Sequence, residues 1–467
     1  MLQPGIIPDS EPVLNVGIVL PEDKYTSVEL VLPGDISCQI ALSGRTLAPA
    51  TGETIFFKLS KDGISFKFRE RDYLARDIIK ISPLEDIQSP TPQSGIKLKQ
   101  VISGRDFHWK KYIDVFLPGK VILKPHEKNL VVINTLPIEH YLACVATSEM
   151  GAACPMALIE AQTIAARSWM LANVEQKHTS LGMDVCNDDC CQRYQGTTFL
   201  TEQSLKGALN TFGQVLIYDH AICDARYSKS CGGVMESFDT IWGGQPLDYL
   251  QVKADAWDAL PEWQKPLSDE KNFEKWINSS PATFCSPTVI PEENLSKYLG
   301  NVDEQGHYFR WQENISQEEM TTIMNRYHPI KASAIKKIEI KKRGGSGRSN
   351  FLTVHYLDQK QEARSINITD EFSIRQSMHP KFLYSSAFLV QAEDGGKDGI
   401  PSRFILRGAG WGHGVGLCQI GALGMSLKGF SVENILSHYF PGSQLKKIYE
   451  PEKFITQGRK EITKHFL

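Results

Sequence analysis

Three places in the sequence hold side chains that could do chemistry: Glu149, the group His178, Cys186, Cys190 and Cys191, and His413 among alternating glycines. A glutamate can exchange a proton with a leaving oxygen, provided something keeps it protonated near neutral pH. Three thiols and an imidazole supply four donors, the number a closed tetrahedral zinc site uses. The same cysteines also allow one disulfide with a free thiol, or buried thiols acting as small apolar groups. Around His413, glycines recur at Gly408, Gly410, Gly412, Gly414 and Gly416. Neither a helix nor a strand interior would choose that pattern, so a shaped loop is predicted. The loop lacks the Lys-Ser/Thr of a phosphate cradle and does not fit G-x-G-x-x-G, which argues against a nucleotide site.

The elements that must position these groups follow from local patterns. Pro137 suits a first helical turn, and Ile138, Tyr141, Leu142 and Val145 follow at helical spacing, predicting a short amphipathic helix that ends near Met150 and Gly151. Glu149 then falls in or just past its last turn. The partial negative charge of a helix C-terminus disfavours an ionised carboxylate, so the expected pKa is raised, as a general acid requires. The alternative is a solvated helix-end residue. A second helix is predicted from Pro155, with Leu158, Ala161, Ala165, Trp169 and Ala172 on one narrow, alanine-rich face.

Four segments, in order, carry a family resemblance: LPIEHYLACVATSEMGAACPMALIEAQTIAARSW, DVCNDDCCQRYQG, YSKSCGGVMESFDTIWGG and GAGWGHGVGLCQIGALGM. They resemble the blocks of the SpoIID/LytB family, whose best-known members are a peptidoglycan lytic transglycosylase and an amidase enhancer. The resemblance covers about residues 110 to 255 and 335 to 445. It places the family's proposed general acid and base on Glu149. It implies zinc held by His178, Cys186, Cys190 and Cys191, with Cys190 standing where the family usually has histidine. Among substrate-binding residues it implies Gln162, Arg167, Ser230, Gly232, Gly233, Trp411, His413 and Gln419. Where many relatives have a histidine followed by serines, this chain has Ser228, Lys229, Ser230 and Cys231, so that histidine's role does not transfer.

A lytic transglycosylase needs one carboxylate, because the sugar's own 6-hydroxyl attacks the anomeric carbon and leaves 1,6-anhydroMurNAc. A hydrolase normally needs two, and Asp184, Asp188, Asp189 and Asp224 are the candidates for a second. The resemblance thus implies an enzyme that cleaves the MurNAc-GlcNAc bond of peptidoglycan glycan strands. Its rivals are a non-catalytic glycan-binding protein that activates a cell-wall amidase, and a zinc hydrolase with an open metal position.

The remainder of the chain reads as α+β. The 467 residues are 41% hydrophobic and 22% charged with a formal net charge of −3, which fits a globular protein with ample core and gives no sign of nucleic-acid binding. Short β-branched and aromatic runs fill residues 12 to 135, with a loop expected from Ser82 to Ser94. The expected organisation is a β-rich region over residues 1–105, a SpoIID/LytB-like catalytic domain over 106–450 with a less-matched insertion at 256–334, and a tail at 451–467. Helices are expected near 204–211, 269–278 and 317–327, a hairpin in QVLIYD and HAICDARYS, and strands in IKKIEIKK, FLTVHYL and SAFLVQ. Most aromatic residues between 256 and 330 are assigned to packing. Cys144 and Cys418 read as core thiols. The sequence shows no basic leader with an apolar stretch and no run of membrane-spanning length. A cell-envelope location is expected from the resemblance alone, with a signal or anchor removed ahead of the numbered chain.

Overall fold

The computed structural model describes residues 1–85, 89–105, 110–299, 306–394 and 399–451, so the tail beyond Pro451 lies outside the described residues. The protein is α+β, a β-rich N-terminal region followed by helices and further sheets. It divides into two compact units. The first holds residues 1–152, 162–224 and those from 445 onward; the second holds 153–161 and 225–444. The N-terminal strands and the helix Ile138–Glu149 that follows them therefore belong to one unit.

Alternation builds the two sheets of the first unit. In Thr54–Ser60, Ile55 and Phe57 turn inward while Thr54, Phe56 and Lys58 face out, the period of two that a half-buried strand requires. This strand sits in a six-stranded sheet ordered Lys111–Leu117, Ile96–Ser103, Ser27–Val31, Thr54–Ser60, Gly63–Phe68 and Arg71–Ala75. A seven-stranded sheet runs Val185–Cys186, Val13–Val19, Asn129–Pro137, Lys120–His126, Ile79–Pro83, Cys38–Leu42 and Arg45–Thr46. Its edge strand Val185–Cys186 pairs parallel to Val13–Val19, Val16 with Val185 and Gly17 with Cys186, which anchors the cysteine segment to the sheet. Of the loop expected at Ser82 to Ser94, Ser82 and Pro83 close a strand, and residues 86–88 lie outside the described residues.

Helices α1 (Ile138–Glu149) and α3 (Glu202–Asn210) lie in this unit, together with α2 (Met156–Ala172) from Gln162 onward. α1 starts directly after Pro137 and ends at Glu149, as the proline and the apolar spacing predict. It is not amphipathic, however: every residue from Ile138 to Ser148 except His140 is buried, Glu139 included. Small residues explain this, since Ala143, Cys144, Ala146 and Ser148 let neighbours approach from all sides. Thr147 and Ser148 hide their hydroxyls by donating to the carbonyls of Phe199 and Cys144. Burial pushes the Cys144 thiol up, as suits an inert core group. The hairpin forms from Gln214–Tyr218 and Ala221–Ile222.

In the second unit the antiparallel sheet Ala332–Arg343, Ser349–Asp358 and Ala363–Ile368, a second sheet of Arg310–Ser316, Pro401–Ala409 and Phe388–Asp394, and the helices Gln317–Tyr327 and Glu371–Met378 share one core. Trp311, Met320, Met324, Ile335, Leu352, Phe388 and Phe404 fill it. Ser316 caps Gln317–Tyr327 in a capping box with Glu319, which fixes that helix start where the sequence places it. The insertion-region aromatics Trp276, Phe284, Phe309 and Trp311 are buried, whereas Trp257 is exposed. No described helix is long and apolar enough to cross a membrane.

Candidate active site and metal centre

The segment from Asp184 to Gly196 is tied down at almost every residue. Asp184 accepts from the backbone N–H groups of Leu2 and Asn15. Asp188 accepts from those of Gly104 and Arg105, and pairs with the Arg105 guanidinium at 3.2 Å. Gln192 takes the Tyr141 hydroxyl at 3.0 Å and donates to the Ala166 carbonyl, so one side chain joins α1 to α2. Tyr194 stacks on Tyr141 at 4.9 Å and donates to Asn134. Asp184 and Asp188 thereby act as anchors of the loop.

These anchors gather His178, Cys186, Cys190 and Cys191 so that one donor atom from each lies within 4.8 Å of the others. The Cys186 and Cys190 sulfurs are 3.0 Å apart, and Cys190 Sγ is 3.9 Å from His178 Nε2. No disulfide joins any cysteine of the chain. The donor set, three thiols and an imidazole, could hold a metal ion. Cys190 is exposed and Cys186 buried, so the cluster opens outward on the Cys190 side.

The same loop reaches Glu149. The carboxylate stands half-buried at the C-terminus of α1, and its Oε1 accepts from the backbone N–H of Arg193 at 3.1 Å. The Arg193 side chain turns to Asp189, with Nε 3.0 Å and Nη2 2.9 Å from Oδ1. Burial pushes the Asp189 carboxyl up, against the pull of Arg193, and the Glu149 charge adds to the rise. Asp189, one of the four aspartates considered as second carboxylates, meets Glu149 through Arg193. The sequence signal for this was its place one residue before the paired cysteines, which is too common a context to single it out.

Gln162 and Arg167 lie on α2, both fully buried. Arg167 makes a bidentate pair with Glu139, Nε to Oε1 at 2.9 Å and Nη2 to Oε2 at 2.6 Å. It also donates to Thr211 Oγ1 and the Gln214 carbonyl, while Gly213 N–H and the Tyr449 hydroxyl donate to Glu139. The guanidinium is thus engaged within the core.

In the second unit the glycine loop is packed against the Tyr227–Gly233 segment. Tyr227–Ser228 pairs parallel with Leu417–Cys418, and Ser230 bridges Trp411. The alternation has a steric cause. Gly414 has φ +73°, and a Cβ there would stand 2.2 Å from Cζ of the buried Arg348; one on Gly416, φ +72°, would stand 2.1 Å from the Arg226 carbonyl. Gly414→Ala is expected to cost at least ~1–2 kcal/mol from the left-handed backbone and more from displacing Arg348. A fall in the denaturant midpoint at unchanged m-value would show it. Gly232 and Gly233 are likewise closed in by protein, by Gly410 and Trp276 respectively. Ser228, standing where relatives have histidine, accepts from the Gly414 N–H.

Trp411 and His413 are half-buried, whereas Ser230 and Gln419 are buried. Trp411 stacks on Tyr384 at 4.4 Å, and Trp242 meets His413 edge-on at 4.9 Å with the Arg226 guanidinium 4.4 Å over its ring. His413 Nδ1 accepts from the Val415 N–H, which leaves the proton of the neutral ring on Nε2. Desolvation, then Arg226, Arg348 and Arg375, hold His413 well below the usual histidine pKa. The unfolded chain therefore takes up a proton below about pH 6.5 that the folded state refuses. The stability His413 contributes is complete above that pH and falls as the pH drops toward the folded value. The expected slope is up to ~1.4 kcal/mol per pH unit, and His413→Asn should remove it from acid unfolding curves.

Comparison with known families adds a decisive observation. A family model described as stage II sporulation protein matches residues 126–218, the stretch holding α1, α2 and the cysteine loop. The amidase enhancer of Bacillus subtilis is 26% identical over 310 residues, covering 64% of this chain and 39% of that protein. Stage II sporulation protein D of Bacillus amyloliquefaciens is 22% identical, covering 70% of this chain and 78% of its own length. Over these stretches the chain is similar to the SpoIID/LytB family. An uncharacterised protein of Brachyspira hyodysenteriae is 22% identical, covering 72% of this chain and 75% of its own length. A second model, described as a domain of unknown function (DUF8618), matches residues 236–416. Similarity to SpoIID/LytB proteins supports a cell-wall-related role and an envelope location.

Proposed function

We propose that this chain is a peptidoglycan lytic transglycosylase in which Glu149 is first the general acid and then the base. The observation that carries the reading is the carboxylate at the end of a rigidly buried helix, half-buried and fixed by the Arg193 N–H. In the first step Glu149 gives its proton to the glycosidic oxygen after MurNAc as the C1–O bond breaks. It then takes the proton of the MurNAc 6-hydroxyl as that oxygen bonds C1, so the enzyme is regenerated without water. The products are an anhydro-ended strand and a strand with a free GlcNAc hydroxyl.

Zinc suits the donors His178, Cys186, Cys190 and Cys191, and four protein ligands fit a structural ion better than a Lewis acid with an open position. Bound there, it would stiffen the loop that presents the Arg193 N–H to Glu149. Trp411 and His413 are half-buried groups of the second unit suited to a sugar, one offering an indole face and the other an imidazole edge. Glycan strands are the proposed substrate and the cell envelope the proposed location.

The match to an amidase enhancer favours a second reading, a non-catalytic glycan-binding protein that stimulates a cell-wall amidase. Mass spectrometry of purified glycan strands incubated with the protein separates the possibilities. Anhydro-ended fragments support the transglycosylase. Reducing ends would replace it with a hydrolase that uses Asp189 as the second carboxylate. Intact strands, with wall binding and amidase stimulation, would replace it with the activating role.

A further inference from the structure

The second unit buries four more ligand-type side chains that share no segment of sequence: Cys231, Asp255, Cys285 and Cys418. One donor atom from each lies within 4.8 Å of the others, and all four residues are buried. We propose that they form a second, fully enclosed metal site, distinct from the His178 cluster, that takes a single tetrahedral ion of the zinc class.

The geometry suits one ion. Two sulfurs each ~2.3 Å from a common tetrahedral zinc lie ~3.8 Å apart, and the Cys231 and Cys285 sulfurs are 3.7 Å apart. That separation is far too long for a disulfide, whose S–S bond is ~2.05 Å. Three sulfurs and one oxygen are the donors that soft or borderline divalent ions select.

The surroundings are arranged as an outer shell. Cys418, the residue before the helix Gln419–Leu427, has its sulfur facing the backbone N–H groups of Cys231 at 3.2 Å and Gly421 at 3.3 Å. Such N–H···S bonds stabilise a thiolate. Asp255 accepts from the Cys285 N–H on Oδ2 and from the Tyr439 hydroxyl on Oδ1 at 2.8 Å. The buried Nε2 of His438 stands 3.4 Å from the same Oδ1, and Lys253 Nζ contacts His438 Nδ1 at 3.3 Å. A carboxylate oriented by a tyrosine and a histidine is the support metal ligands commonly receive. Gly421 is required beside it, because a Cβ there would stand 2.4 Å from Asp255 Oδ2. Ion binding displaces the thiol protons to solvent, leaving three thiolates and the Asp255 carboxylate around the divalent ion.

Metal analysis of the full chain expressed with zinc tests this, and the informative protein is the Cys186→Ser/Cys190→Ser variant, which removes the first cluster. The expected content is one zinc per chain, with an X-ray absorption spectrum of three sulfur ligands and one oxygen. Zero zinc with Cys231, Cys285 and Cys418 recovered as free thiols would overturn the proposal. So would zero zinc with two of the three joined as a disulfide, or one zinc whose shell is not three sulfurs and an oxygen. Should that variant fail to fold, Cys285→Ser in the otherwise unchanged chain is expected to hold one zinc fewer than wild type. An unchanged count would refute the site.

Discussion

Glu149→Gln is expected to cut the release of anhydro-ended glycan fragments by about 10²- to 10⁴-fold, the usual contribution of a positioned acid. Glutamine keeps an oxygen for the Arg193 N–H and nearly the same volume, so the unfolding free energy should stay within ~0.5 kcal/mol. Binding to wall sacks should persist as well. The measurement is the rate of anhydro-end formation by mass spectrometry, with stability and wall pelleting as controls. Full activity in Glu149→Gln would remove Glu149 from the chemistry. Asp189→Asn is the companion variant: because Asp189 meets Glu149 through Arg193, an equal loss there would point to a coupled carboxylate pair.

The largest stability effect is expected at the Arg167–Glu139 pair. Both side chains are buried, 0% and 6% exposed, and joined by two hydrogen bonds. Arg167→Met strands a carboxylate in the core, and breaking such a pair costs about 3–5 kcal/mol. Tyr449 and Gly213 still donate to Glu139 and should hold the loss toward the lower end of that range. The double variant Arg167→Met/Glu139→Gln is expected to recover much of the loss, since no unpaired charge remains. Urea unfolding of both variants measures this. If Arg167 instead contacts glycan, Arg167→Met will raise KM in the folded protein by more than its instability explains.

Much was legible from local pattern. Pro137 and the apolar spacing set the start and end of α1, hence the station of Glu149 at a helix terminus. The helix expected near 317–327 formed as Gln317–Tyr327, and period-two runs set the strands before residue 138. The His178, Cys186, Cys190 and Cys191 group was visible because all four lie close together in the sequence.

Tertiary packing decided the rest, because it joins residues whose separation in sequence carries no signal. Glu139 reads as the polar face of an amphipathic helix, yet packing from α3 and Tyr449 closes that face and Arg167 supplies the charge. Cys418 reads as an ordinary core thiol, and only the pairing of Tyr227–Ser228 with Leu417–Cys418 carries it to Cys231 and Asp255. The alternating glycines announce a shaped loop, but the shape is dictated by Arg348 and the Arg226 carbonyl, which the fold places beneath them.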